Sequence, residues 1–318
     1  MNSPAPRHYH WCGLDFIIDR QGQPVLIEAN RSSHMLGEYL AFHGDDRPFA
    51  LAAEVMNRAG GTPCLLWRAG DPFPDADEDA CFIARHLRPH LTLKPVVCNV
   101  EDNQEPRQEL LSRDGRWVRP GSIFRWWYGL PWSYERSGVT VVNPNCVWTV
   151  VRDKLNSYAP LREAQSFRVP WGFAANSLEQ ARAILQSNPE LFRDGWVVKP
   201  RVGWGGQGVQ VGDAGDEPHQ CAPNHMLSER ILADRTDGRF WEARVFVMAG
   251  RYLGGIRHSN TTPLTNYWQG ARAEVLDPAI SRMLEQPALE AVHLLDRAAD
   301  AVHHLPEPPD TPLTRVDY

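Results

Sequence analysis

One stretch constrains this chain more than any other: Gly13-Leu14-Asp15-Phe16-Ile17-Ile18-Asp19-Arg20-Gln21-Gly22-Gln23-Pro24-Val25-Leu26-Ile27-Glu28-Ala29-Asn30. Leu14 to Ile18 and Pro24 to Ala29 are apolar and rich in β-branched residues. Asp19-Arg20-Gln21-Gly22 is a turn sequence, so the segment reads as a hairpin. Glu28 and Asn30 are two apart on a strand and share one face, and the hairpin brings Asp15 alongside them. Two carboxylates and an amide oxygen are hard ligands, suited to Mg2+ that also holds nucleotide phosphates. Strand alternation also puts polar residues on any wet hairpin face, so both readings stand at this point.

The chain behind the hairpin has 318 residues, enough for two or three packed subdomains. Its net charge of −6, with acids and bases interspersed, gives no basic field for nucleic acid. Cys12, Cys64, Cys81, Cys98, Cys146 and Cys221 are scattered without a C-x-x-C pair. That spacing argues against zinc and against a disulfide frame, and fits a reducing compartment. No apolar run reaches the roughly 18 residues of a membrane span. Met1-Asn2-Ser3-Pro4-Ala5-Pro6 lacks a basic-then-apolar leader, so a cytoplasmic protein is expected.

Arg31 to Gly37 reads as a polar loop leaving the hairpin. Helices are expected over Pro48 to Arg58 and from Asp75 to about Leu87, with strands over Thr62 to Trp67, Leu91 to Asn99 and Ser122 to Trp127. A small turn hairpin centres on Asp114-Gly115. Strand alternating with helix over roughly 45–130 implies an open α/β unit. No glycine-rich phosphate turn follows its first strand, so it is not a dinucleotide site. Within it, Arg125 reads as a substrate anchor or a structural ion pair, and Trp126-Trp127-Tyr128 with Trp132 could line a groove.

Further on, Gly138 to Pro144 is a strand and Val147 to Tyr158 one helix carrying Asp153-Lys154. A strand Val169 to Phe173 and a helix capped by Ser177 follow. Next comes Gly195-Trp196-Val197-Val198-Lys199-Pro200, a strand ending in a lysine. The loop Gly203-Trp204-Gly205-Gly206-Gln207-Gly208 leads to a further strand at Val209. Lysine before the glycines, and a strand after them, is not the P-loop order. Glycines still let backbone N–H groups approach phosphate oxygens, and the lysine adds charge. His225 to Leu232 is a strand with Glu229 near its end. Trp241 to Gly250 and Tyr252 to His258 form a long hairpin bearing Arg244 and Arg257, with His258 read as structural. Pro278 to His304 is helical, with a break expected near Pro287.

In this order, Asp153-Lys154, Val197-Val198-Lys199-Pro200, the Gly203–Gly208 loop, Ser228-Glu229-Arg230-Ile231-Leu232 and Glu242-Ala243-Arg244-Val245-Phe246-Val247 resemble the ATP-grasp superfamily. Arg257, Asn266 and Asp15 with Glu28-Ala29-Asn30 complete the resemblance. It spans roughly 180 residues plus the opening hairpin. The order departs from the family's, in which the Asp and Glu-x-Asn hairpin closes the domain after the long helix. Here that hairpin opens the chain, and Thr314-Arg315-Val316-Asp317-Tyr318 looks like its beginning, cut short. The chain therefore looks like a circularly permuted ATP-grasp protein. The alternatives are truncation after Tyr318, or pairing of the Asp317 strand with a second copy in a homodimer. Either puts Asp317 in competition with Asp15 as metal ligand, and Asp15 is preferred because Glu28 and Asn30 follow in its own hairpin.

The resemblance implies an α/β protein, α+β in its ATP-binding part. Residues 1–40 would be the permuted metal-binding hairpin, 41–145 the α/β substrate domain and 146–318 the lid and core. It implies ATP with one or two Mg2+ ions as cofactors. Lys154 and Lys199 would hold phosphates, and the loop with Gly203, Gly205, Gly206, Gln207 and Gly208 would close over them. Backbone groups of Glu229, Arg230, Ile231 and Leu232 would take adenine, and Asp234 or Asp237 the ribose. Asp15, Glu28 and Asn30 would hold the metal. Arg257, assisted by Arg244, would stabilise transferred charge. Glu28 and Asn30 should then lie close to Lys199 and Arg257.

The implied reaction is ADP-forming ligation of a small-molecule or peptide carboxylate to an amine through an acyl phosphate, with neither nucleic acid nor membrane as partner. No Gly-x-Ser-x-Gly elbow speaks for a covalent nucleophile. A phosphotransferase using the same site and a non-catalytic nucleotide-binding module are the rival expectations.

Overall fold

The computed structural model describes residues 5–30, 34–67, 76–99, 101–103, 108–125, 134–135, 137–203, 206–233, 237–265 and 270–305. The chain opens on the expected hairpin, β1 (Trp11–Ile18) and β2 (Pro24–Asn30), and continues into α1 (His34–His43) and α2 (Arg47–Ala59). An α/β unit follows: β3 (Thr62–Trp67), α3 (Ala76–Leu87), β4 (Val96–Asn99), the small hairpin β5 (Leu110–Leu111) and β6 (Trp117–Val118), then β7 (Pro120–Arg125) and β8 (Thr140–Val142). Helices α4 (Asn145–Val151) and α5 (Lys154–Leu161) lead into β9 (Gly172–Ala175), α6 (Leu178–Ser187), β10 (Trp196–Pro200), β11 (Gln210–Gly212) and β12 (His225–Glu229). The chain returns through β13 (Phe240–Met248), β14 (Arg251–Asn260) and β15 (Arg272–Val275) to the long helix α7 (Pro278–His303).

Three larger sheets result. The first is antiparallel, in the order β15-β14-β13-β1-β2, so the opening hairpin extends a sheet begun by the last three strands. The second, β11-β10-β12-β9, is also antiparallel. The third, β4-β3-β7-β8, is parallel, as a strand-helix alternation requires.

Alternation along β1 and β13 sends successive side chains to opposite faces. Leu14, Phe16, Ala243, Val245 and Val247 meet α7 through Leu284, Ala288, Ala291 and Leu295, with Tyr158 and Leu161 of α5. Trp11, Phe246, Met248 and Ile256 face the other way and pack on Leu36 and Tyr39 of α1 and Phe49 and Met56 of α2. Each fully buried Val, Leu, Ile, Phe or Met among them contributes about 1.5–3 kcal/mol. The antiparallel β9–β12 sheet has its own small core, where Ala181 of α6 meets Trp196, Val198 and Leu227.

Several sequence expectations are corrected. The loop expected from Arg31 is helical from His34 onwards. The single helix over Val147 to Tyr158 is two, because Asp153 leaves helical geometry and its carboxylate caps α5 by accepting the Leu155 N–H at 3.0 Å. The strand expected from Val169 starts at Gly172, since the Trp171 N–H is drawn to Glu229 Oε1 at 2.9 Å. Helix α7 runs through Pro287 without a break, held on both sides by buried Leu284, Ala288 and Ala291. Arg125 resolves as structural: its guanidinium lies 3.5 Å from the Glu135 carboxylate, both side chains 1% exposed. The Trp126 to Trp132 groove falls outside the described residues. No helix among the described residues is long and apolar enough to cross a membrane.

Candidate active site

The hairpin register sets the site. Asp15 stands opposite Glu28 on one side and opposite Arg244 on the other, and Gly13 stands opposite Asn30. Cross-strand partners point to one face, so Asp15, Glu28, Asn30 and Arg244 share it. Immediately after Asp15 the register shifts, and Phe16 pairs with Leu26. This bulge returns Leu26 to the core side and leaves Ile27 as the extra residue. The Ile27 carbonyl accepts the Tyr158 hydroxyl at 2.6 Å and the Lys199 ammonium at 3.4 Å.

Two lysines approach this face. Lys154, at the start of α5, lies 3.5 Å from Glu28 Oε1 and donates to the Gly203 carbonyl at 3.0 Å. Lys199, on β10, donates to the Tyr158 hydroxyl at 3.2 Å as well as to Ile27. Both hydrogen-bond acceptors of Lys199 are neutral oxygens. Burial lowers its pKa, against the opposing pull of Glu28, Glu242 and Asp15. Asp153 and Arg201 join α5 to the end of β10 through an ion pair, Arg201 Nε donating to Asp153 Oδ1 at 3.1 Å.

An ionic network occupies the same face. Arg244 donates to both oxygens of Asp15, at 2.7 and 3.0 Å, and to Glu38 Oε2 at 3.2 Å. Asn30 Nδ2 donates to Asp15 Oδ2 at 3.0 Å. Burial raises the Asp15 pKa to about 6, against the guanidinium. His258, opposite Glu242 in register, lies between Glu38 Oε1 at 2.8 Å and Glu242 Oε1 at 3.5 Å. Burial alone would lower its pKa, but the two carboxylates outweigh that and raise it to about 9. Thr265 donates its hydroxyl to Glu242 Oε2 at 2.6 Å.

These groups border a cavity of about 230 Å³. Of the residues singled out from the sequence, Asp15, Glu28, Lys154, Lys199, Gly203, Gly206, Gln207 and Glu229 through Leu232 line it. Ile17, Val197 and Val211 give it apolar walls. The carboxylate of Glu229 is engaged structurally, with Arg168 Nη1 at 2.8 Å, and the residue lines the cavity. Asn30 and Arg244 stand one step back, through Asp15. Gly208 packs on Pro200 outside the lining, with a left-handed backbone. Gly205, Asp234, Asn266, Gln269 and Asp317 lie outside the described residues.

Two of the residues singled out from the sequence lie elsewhere. Arg257 is opposite Ala243 in register, on the face away from Arg244, and pairs with Glu274 on β15. Lys154, by contrast, lies 3.5 Å from Glu28, and Lys199 reaches the carbonyl of the neighbouring Ile27. Asp237 is exposed in a turn with φ 51°, outside the cavity lining. The residues the sequence reading missed are Glu38, on a helix whose first turn was taken for the end of a loop, and His258, taken as structural. Arg20 and Thr265 also line the cavity. The one signal for His258 was its place in a hairpin opposite Glu242.

The donor set fits the groups that the resemblance implies. Asp15 and Glu28 supply carboxylate oxygens and Asn30 its amide oxygen, since its Nδ2 is spent on Asp15; this suits Mg2+. The half-buried Lys199, whose two hydrogen bonds go to neutral oxygens, suits a phosphate.

An antiparallel sheet carrying carboxylates and a smaller antiparallel sheet carrying a lysine, closing on a cavity between them, define the ATP-grasp fold. No protein-family model matches the chain, and no curated protein matches it in sequence. Among solved structures, the chain is similar to one from Methylobacillus flagellatus KT under the name gamma-glutamylcysteine synthetase. That match has a TM-score of 0.54 at 12% identity and covers 93% of this chain and 89% of the other. The VanG D-Ala:D-Ser ligase from Enterococcus faecalis gives a TM-score of 0.48 at 9% identity over 74% and 83%. A glutathione synthetase-like effector from Globodera pallida gives 0.47 at 12% over 85% and 76%.

Proposed function

We propose that this chain is an ATP-dependent ligase that joins a carboxylate to an amine and releases ADP and phosphate. The observation that carries the reading is Lys199. A half-buried ammonium that donates to two neutral oxygens, lining the same cavity as Lys154, is placed for a polyanion.

In this reading Lys154 and Lys199 hold the ATP phosphates, and the backbone of Glu229 to Leu232 receives adenine. Mg2+, when held by Asp15, Glu28 and the Asn30 amide oxygen, neutralises phosphate charge. A substrate carboxylate oxygen attacks the γ-phosphorus and the bond to the β-phosphate oxygen breaks, giving an acyl phosphate and ADP. An amine nitrogen then attacks the acyl carbon, phosphate departs, and the amine loses a proton. The protein contributes position and charge rather than a covalent nucleophile. Arg244, with His258 behind it, takes the charge-stabilising role that the sequence reading gave to Arg257.

The same reading makes the chain a circular permutation of the fold. Asp15 and Arg244 are partners in one sheet although 229 positions separate them. Residues 1–40 would be the displaced metal hairpin, 41–145 the substrate-side α/β domain and 146–318 the lid and core.

The test is an ADP-release screen over amino acids, short peptides and polyamines, with hydroxylamine as a trap. Carboxylate-dependent ADP release with hydroxamate formation supports the ligase, and Glu28→Ala is expected to abolish it. A stable phosphorylated product would make the chain a phosphotransferase. Tight ATP binding without turnover would make it a binding module.

A further inference from the structure

At a second place in the fold, three potential metal ligands converge. His8 precedes β1, Cys146 lies in α4 and His303 ends α7, and none of them lines the cavity. One ligand atom from each lies within 4.8 Å of the other two. The arrangement is held from several sides. Asp296 on α7 accepts the backbone N–H groups of Arg7, His8 and Tyr9 at 2.9, 2.8 and 2.8 Å, which fixes the N-terminal segment against the helix. The His8 and His303 rings stand 4.9 Å apart between centroids. Cys146 is fully buried, while His8 and His303 are half-buried.

We propose that His8, Cys146 and His303 form a site for a divalent cation of borderline softness, of which Zn2+ is the best match. Two imidazoles and one thiolate are a soft nitrogen-sulfur donor set, unlike the oxygen set of the Mg2+ site. On binding, the Cys146 thiol gives its proton to solvent, and water fills the fourth position. Asp300 acts from outside the ligand set. Its Oδ1 is 3.0 Å from His8 Nε2, so that nitrogen donates to the carboxylate and Nδ1 is left to ligate. The ion would clamp the N-terminal segment, α4 and the end of α7 together. The lack of a C-x-x-C pair argued against zinc, but these three ligands are scattered along the sequence and only the fold gathers them.

The test is a Co2+ titration of the full chain, stripped with EDTA, followed by absorption. A single equivalent should bind with a thiolate-to-cobalt charge-transfer band and a tetrahedral visible spectrum. The oxygen ligands of the Mg2+ site produce no such thiolate band. Cys146→Ser should remove the band. Asp300→Asn should keep the band but weaken binding about tenfold or more. Should Cys146→Ser fail to fold, His303→Ala, checked by circular dichroism, carries the same prediction of weakened binding. Absence of the band in wild type, its survival in Cys146→Ser, or unchanged affinity in both His8→Ala and His303→Ala would overturn the site.

Discussion

Asp15 and Arg244 face each other across adjacent strands, and the guanidinium donates to both carboxylate oxygens, at 2.7 and 3.0 Å. Asp15 is 2% exposed, so each charge depends on the other. Removing one partner of a buried pair costs about 3–5 kcal/mol because the remaining charge stays buried. Arg244→Leu is therefore expected to lower unfolding stability by about that amount. The double variant Asp15→Asn with Arg244→Leu should lose clearly less than the two single variants together. Urea denaturation of the four proteins measures the coupling, and strict additivity would show that the pair is not energetically linked.

Lys199 should behave in the opposite way. Its ammonium is desolvated, and its two bonds go to neutral oxygens. Lys199→Met removes a half-buried charge and keeps most of the side-chain volume, so stability should stay within about 1 kcal/mol of wild type or rise. ATP binding should weaken about tenfold or more, the loss of one charge-assisted bond worth roughly 1.5–3 kcal/mol. Calorimetric titration of ATP and a urea melt of the same sample separate the two effects. A large loss of stability with intact ATP affinity would assign Lys199 to the fold alone.

Two glycines should respond with opposite signs. A Cβ on Gly121 of β7 would sit 1.8 Å from the Gly60 carbonyl oxygen, which is backbone and cannot swing aside. Gly121→Ala should cost about 2–3 kcal/mol as the α2–β3 connection is pushed off the sheet. Gly37, inside α1, has nothing within 4 Å of its virtual Cβ. Gly37→Ala should stabilise by about 0.5–1 kcal/mol through helix propensity. Thermal melts showing both substitutions shifting stability the same way would count against this packing.

Much of the site was readable because its signals are local. Asp15, Glu28 and Asn30 declare themselves through strand period and one turn, and Lys199 through its place beside a glycine loop. Arg257 and His258 show where locality ends. They are neighbours on one strand, so they point to opposite faces, and which of them joins Arg244 depends on hairpin register. That register shifts between Phe246 and Val247, near the Ala249-Gly250 turn. A one-residue slip exchanges the two faces, and sequence alternation alone does not fix it. Glu38 was hidden for another reason. Its helix begins next to the hairpin, within a run of polar residues that reads as a loop.

His258 yields a prediction with a defined pH window. Its ordinary pKa of 6.5 is raised to about 9 in the fold; burial opposes the rise, and Glu242 and Glu38 impose it. Between those values the folded state binds a proton that the unfolded state has lost. The contribution is fully present below pH 6.5 and disappears as pH rises through about 9. Its size is on the order of 3 kcal/mol, because each tenfold gain in proton affinity on folding is worth about 1.4 kcal/mol. Glu38 and Glu242 set the acid side, since both have lowered pKa values: burial would raise them, and the His258 hydrogen bonds overcome it. Their contribution is lost only as pH falls through the carboxylate range. Wild type should therefore lose stability between pH 6.5 and 9 more steeply than His258→Gln, which has no proton to release. Every other titrating group is common to both proteins, so the difference between the two slopes isolates His258. Urea midpoints at half-unit steps of pH measure it. Parallel slopes would mean that the imidazole is neutral in the fold and that Arg244 alone compensates the two carboxylates.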